Sequence, residues 1–220
     1  MPDTPTREAI HDAIDRAVRD LLADAGIDAA PVDLARLAQH LAMPPAATPK
    51  RGRAGVVAKI AETASSKAWL AANAIGQHLR PDLLRQLDLD QSQGLAVSVP
   101  NLFADRLLVP THWLSALGRA CGWDLLELER LLRPAGHELI AWRMLDLSEP
   151  VAISFTAAGR VTRRRSNAFR VGKALSAPEE RCRQAVQQEE KPHELRAEGW
   201  TVQGWPVGER VILRSLRRDD

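Results

Sequence analysis

The stretch Leu147-Ser-Glu-Pro150-Val-Ala-Ile-Ser-Phe155 is where the chain changes character. Ahead of it, apolar residues recur at helical spacing; behind it, they gather into short strand-like runs. Val151–Phe155, Val161–Arg165, Trp200–Trp205 and Val211–Leu216 read as strands. One helix sits among them. Ser176-Ala-Pro-Glu179 is a capping-box pattern, in which a serine and a glutamate three apart satisfy each other's backbone N–H groups. That helix is predicted to run to about Glu190. A mainly helical region followed by a small α/β module predicts an α+β fold, with a boundary at Glu149–Pro150.

Upstream of the boundary, Ile10, Ile14, Val18, Leu21 and Leu22 mark an amphipathic first helix, with Thr4-Pro5 as its start and Gly26 as its stop. A short helix after Pro31 carries Leu34, Leu37, Ala38 and Leu41. Residues 44–54 read as a loop and Val56–Ile60 as a short strand. A helix capped by Ser66 follows, apolar almost all round from Ala68 to Ile75, a pattern that predicts a buried helix. Asn73 and Gln77, four apart on one face, read as a hydrogen-bonded polar pair within it. Pro81 is predicted to interrupt it before a short helix to Leu87 and a loop over 88–98. Helices are expected at 100–108, 112–120, 124–132 and 137–147. The last two make a helical hairpin with Trp142, Met144 and Leu145 as core.

Composition narrows the function classes. Of 220 residues 45% are apolar, enough for a real core and too many for a disordered chain. The formal net charge is only +2, which argues against a non-specific nucleic-acid coat. The charge is uneven, with 14 basic and 9 acidic residues in 150–220. No apolar run reaches membrane-spanning length, and the N-terminus does not read as a signal peptide. Cys121 and Cys182 have no metal-type spacing, so the expectation is an intracellular, cytoplasmic protein.

Two stretches mimic a zinc motif. His137-Glu-Leu-Ile-Ala141 and His193-Glu-Leu-Arg-Ala197 both open like HExxH, which works because two histidines four apart face one zinc. Each has alanine where the second histidine is required, so Glu138 reads as an early helical residue and His193 as surface. Arg163-Arg164-Arg165 is a basic cluster that reads as a solvated edge-strand face or as a contact for phosphate or an acidic partner.

The segment from Ser66 to Pro110 carries a family resemblance. Asn101, Phe103, Ala104, Leu107, Leu108 and Pro110 match an E-A-N-x-F-A-x-x-L-L-M-P helix. Pro31-Val-Asp-Leu-Ala-Arg-Leu-Ala38 matches an early P-V-D helix, and Glu138-Leu-Ile-Ala-Trp-Arg-Met144 an E-A-L-x-x-R-L pattern. In these pieces, over roughly residues 10–147, the chain resembles the ImmA/IrrE metallopeptidases of bacteria. The resemblance implies a zincin-like domain over 1–110, a helical hairpin subdomain over 111–149 and the α/β module over 150–220.

The resemblance also implies a zinc site, and this chain departs from it at every position. Aligned on Gly76 and Leu79, Asn73 stands for the first histidine, Ala74 for the general-base glutamate, Gln77 for the second histidine and Val99 for the third ligand. Shifting the register to use His78 does not restore the others. Catalytic zinc needs three strong N, O or S donors and a base for its water. No cofactor and no metal are therefore expected. The leading expectation is a zinc-free pseudopeptidase that binds a protein, a helix-turn-helix repressor by the family's habit, in stress or transcriptional regulation. The alternatives are an active zinc metallopeptidase drawing on His78, His112 or Cys121, and a DNA-binding regulator using the hairpin and the basic tail.

Overall fold

The computed structural model describes residues 6–43, 64–87, 89 and 98–217. The strand expected at Val56–Ile60, the loops at 44–54 and over most of 88–98, and the Thr4-Pro5 start lie outside them. The chain is α+β, with two compact units: residues 1–117 with 129–136, and residues 118–128 with 137–220. Residues 137–149 thus group with the strands that follow them.

The first unit is helical. Helix α1 (Arg7–Asp24) is capped by Thr6, whose side chain accepts from the Ala9 N–H, and it buries Ile10, Ile14, Val18 and Leu22 along one stripe. Gly26, at φ +64°, ends it in the left-handed conformation that glycine adopts without a Cβ penalty. Asp33 caps α2 (Leu34–His40), accepting from Ala35 and Arg36.

Helix α3 (Ala64–Gln86) departs from expectation in three ways. Ser66, expected as its cap, lies inside it. The helix runs unbroken through Pro81. Proline removes the N–H that would bond the Gln77 carbonyl, but both residues are exposed, so water can serve that carbonyl. It is also one-sided: Ala68, Ala72, Ile75, Gly76, Leu83 and Leu84 are buried, while Ala71, Ala74 and Gln77 are exposed and Leu70 is 63% exposed. An alanine-rich run reads as apolar, yet alanine has so little surface to hide that the run does not dictate burial.

Helix α4 (Val99–Leu108) is the apolar partner of α3 and α1. It buries Val99, Phe103, Ala104, Leu107 and Leu108 and leads through buried Val109 and Pro110 into α5 (Thr111–Ala120). Helices α6 (Leu125–Leu131) and α7 (His137–Arg143) follow, the latter continued by a 3₁₀ turn at Met144–Asp146.

The second unit is built on a five-stranded antiparallel sheet of order β2-β1-β5-β4-β3. Its strands are β1 (Val151–Ala157), β2 (Arg160–Ser166), β3 (His193–Ala197), β4 (Trp200–Val207) and β5 (Arg210–Arg217). Strand β3 corrects the sequence reading, which placed His193 as surface outside any strand. Its Glu, Leu, Arg and Ala are helix formers, but pairing with β4 overrides that local preference. Helix α8 (Ala177–Glu189) covers one face through Cys182 and Val186, which meet Val202, Val211 and Leu213. Gly204 permits that approach, since a Cβ there would stand 2.8 Å from Val186 and 3.0 Å from Leu213. The opposite face holds Phe155 under Trp142 of α7, ring centroids 4.7 Å apart, and Arg214 under Trp123, 4.8 Å from its ring centre.

Candidate functional site

In the first unit the family-like positions fall on the α3–α4 pair. Trp69 Nε1 donates to Asp105 Oδ1 at 2.7 Å, and Asn73 Nδ2 donates to Asn101 Oδ1 at 2.8 Å. One turn further on, a Cβ at Gly76 would stand 3.0 Å from the Pro100 carbonyl and 3.2 Å from Phe103. As α3 numbers rise, the α4 partners fall, so the helices run antiparallel and touch backbone to backbone at Gly76.

This packing brings Asn73 to Asn101, not to Gln77 as its sequence spacing suggested. Gln77 and Ala74 are exposed, and Val99 is fully buried among the α4 core residues. Phe103 and Pro110 of the retained motif are buried, so they serve packing, while Asn101 lies at the surface. The residues do not fit a zinc ion. Asn73 spends its amide nitrogen on Asn101, carboxamide oxygens are neutral, and Val99 offers no donor atom. Among the described residues, no three His, Cys, Asp or Glu side chains gather where they could hold a metal ion.

Beneath this pair lies a charged centre that the sequence reading passed over. Arg106, 1% exposed, sits with its Nε 3.4 Å from Asp15 Oδ2, and Thr111 Oγ1 donates to Asp15 Oδ1 at 2.6 Å. A buried ion pair of this kind joins α1, α4 and the start of α5. The signal was available, because Arg106 occupies a core-facing position between Phe103 and Leu107. His112 next to it is held below the usual histidine value, first by burial and then by the Arg19 charge, against an opposing pull from Asp15.

In the second unit the three consecutive arginines part company, as strand alternation requires. Arg164 points beneath α8, where both Glu179 carboxylate oxygens accept from its Nη2 at 2.9 and 2.7 Å. Glu179 is fully buried and also accepts from Ser176 N, Ser176 Oγ and Ser215 Oγ at 2.7–2.8 Å. The predicted capping box is thus present, and its glutamate anchors helix to sheet as well as closing the helix end. Arg164 is therefore an internal residue. Arg163 pairs with Glu138 of α7, and the Arg165 guanidinium lies 5.4 Å from the Trp142 ring centre. Cys182 faces the same core, and burial, with the nearby Glu179 and Glu194 charges, pushes its thiol up to about 12.

No protein-family model matches the sequence, and no curated protein matches it. Among solved structures, the fold resembles a Mycobacterium tuberculosis transcriptional regulator, with a TM-score of 0.61 and 15% sequence identity over 96% of this chain and 80% of that one. At that identity the likeness shows shared fold. No described helix is long and apolar enough to cross a membrane.

Proposed function

We propose that this protein is a zinc-free pseudopeptidase of ImmA/IrrE type, acting in transcriptional regulation by binding a protein partner. The observation that carries the reading is the Asn73–Asn101 bond. It stands where the resembling family has its first zinc ligand and the start of its second motif, and it closes α3 on α4 with neutral carboxamides. An amide pair of this kind supports a binding frame and offers no activated water. The fold shared with a transcriptional regulator supports a regulatory role over a purely metabolic one.

The surface assigned to the partner is the open side of α3. Leu70 projects there with Ala71, Ala74 and Gln77 exposed around it. Small residues flanking one large apolar side chain suit a facing helix, and a helix-turn-helix repressor supplies helices of that kind. The test has two parts. Metal analysis of the purified protein is expected to find no stoichiometric zinc. Affinity capture from the native cell is expected to enrich a helix-turn-helix regulator, and Leu70→Glu or Asn73→Arg to abolish that enrichment. One tightly bound zinc per chain would return the protein to the metallopeptidases, and capture indifferent to both substitutions would sink the binding reading.

A further inference from the structure

The second unit carries a charge feature that the α3 surface does not use. From Pro150 to Pro178 the chain holds six basic residues, Arg160, Arg163, Arg164, Arg165, Arg170 and Lys173, and no acidic one. This run forms β1, edge strand β2 and the segment leading to α8. Arg164 is consumed inside by Glu179, and the others are exposed.

Sheet register sorts them into a row. Ala157 pairs with Arg160, Phe155 with Arg163 and Ile153 with Arg165, so these three arginines share the face that carries α7. Arg210 pairs with Ala157 from the other side and joins the same face. Arg163 and Arg165 are two residues apart on a strand, about 7 Å along it. Half-buried Trp142 lies under Arg165, adding a planar surface to the row. Among the described residues one carboxylate pairs with the row, Glu138, which binds Arg163 and Arg210. Arg163 and Arg210 remain 61% and 55% exposed in those pairs. Exposed pairs of this kind are worth ~0–1 kcal/mol, so they yield readily to a stronger anion.

From this geometry we infer that the β2 edge and the α7 side of the sheet bind the phosphate backbone of nucleic acid. The row offers regularly spaced guanidiniums, which suit phosphate in paired, two-point contacts. The row lacks an exposed apolar anchor for a docked protein: among the described residues the one large hydrophobic side chain exposed is Leu70, in the other unit, and Trp142 is half-buried under Arg165. Backbone binding needs no such anchor, because phosphate contacts position a protein without reading sequence. A net charge of +2 for the whole chain does not oppose this, since fields beyond about 10 Å are screened at ordinary salt.

The test is fluorescence anisotropy of the full chain with a labelled 20-base-pair duplex and with a single strand of the same length. Four phosphate contacts weaken duplex binding roughly a hundredfold between 50 and 200 mM salt. The triple variant Arg160→Gln, Arg163→Gln, Arg165→Gln is expected to bind at least tenfold more weakly at 50 mM, with a clearly shallower salt dependence. Glu138→Gln frees Arg163 and Arg210 and is expected to tighten binding, a gain that a folding defect does not produce. The anisotropy curve reads the β2 row and the affinity capture reads the open side of α3, so this inference and the proposed function fail separately. The two arms decide whether duplex or single strand is the natural source of the phosphate. Absence of binding to both at 50 mM, affinity unmoved by either β2-face variant, or tighter binding of polyglutamate than of DNA would overturn the inference.

Discussion

Replacing Glu179 by alanine tests the internal logic of the second unit most directly. Glu179 is fully buried and accepts from Arg164, Ser176 and Ser215. Alanine leaves the Arg164 guanidinium buried against a small apolar side chain and opens the first turn of α8. Breaking a buried pair from one side costs about 3–5 kcal/mol, and the capping loss of about 1 kcal/mol overlaps with it. The expected loss is therefore ~3–5 kcal/mol, taken from this unit alone. Cys182 is a local reporter, since its thiol is buried beneath α8 and reacts only when the unit opens. In a Cys121→Ser background, the Cys182 labelling rate at pH 8 under mild urea should rise by roughly 10² to 4 × 10³ in Glu179→Ala, since every 1.4 kcal/mol is tenfold. Glu179→Gln keeps shape and some hydrogen bonds and should fall between. A rise under about fivefold in Glu179→Ala would mean that Arg164 finds water instead, and that the carboxylate is not what ties α8 to β2 and β5.

Three further outcomes follow from particular contacts. Gly76→Val should destabilise the first unit by ~1–3 kcal/mol in urea melts, because its side chain meets the Pro100 carbonyl and Phe103; Gly76→Ala should cost less, because it recovers about 1 kcal/mol of helix propensity. His112 is held below its ordinary value of 6.5, so the unfolded chain takes up more protons as pH falls; its contribution is whole above about pH 6.5 and is lost as pH drops through the folded value. His112→Gln should therefore flatten the acid side of the stability–pH curve measured between pH 7 and 5. Asp15→Ala should lower the thermal midpoint of the first unit, because it removes the acceptor that Arg106 and Thr111 share.

What the sequence revealed depended on how local each signal was. The capping box Ser176–Glu179 was legible because both partners lie within one turn, and the strands β1, β2, β4 and β5 because valine, isoleucine and tryptophan favour pleated, half-buried positions. Strand β3 was hidden by helix-forming residues, although Glu198-Gly199, both at positive φ, marks the tight turn that joins it to β4. Helix α3 is longer and more exposed than its sequence predicts, because the exposed setting that lets Pro81 stay in the helix is not a local signal and alanine carries little surface to bury. At the candidate site, the positions of Asn73 and Asn101 are what the family resemblance implies, but their bond joins residues 28 apart and needs the tertiary packing. The separate fates of Arg163, Arg164 and Arg165 follow from strand alternation alone, while the identity of Glu179 as the partner of Arg164 does not.

The bonds Trp69–Asp105 and Asn73–Asn101, one helical turn apart, lock α3 and α4 in longitudinal phase. Sliding either helix by one turn, about 5.4 Å, would break both bonds in their present register. It would also drive a larger side chain into the gap that Gly76 leaves at Pro100. A piston stroke is therefore closed to this pair. A partner on the open side of α3 would meet two helices held in one fixed phase.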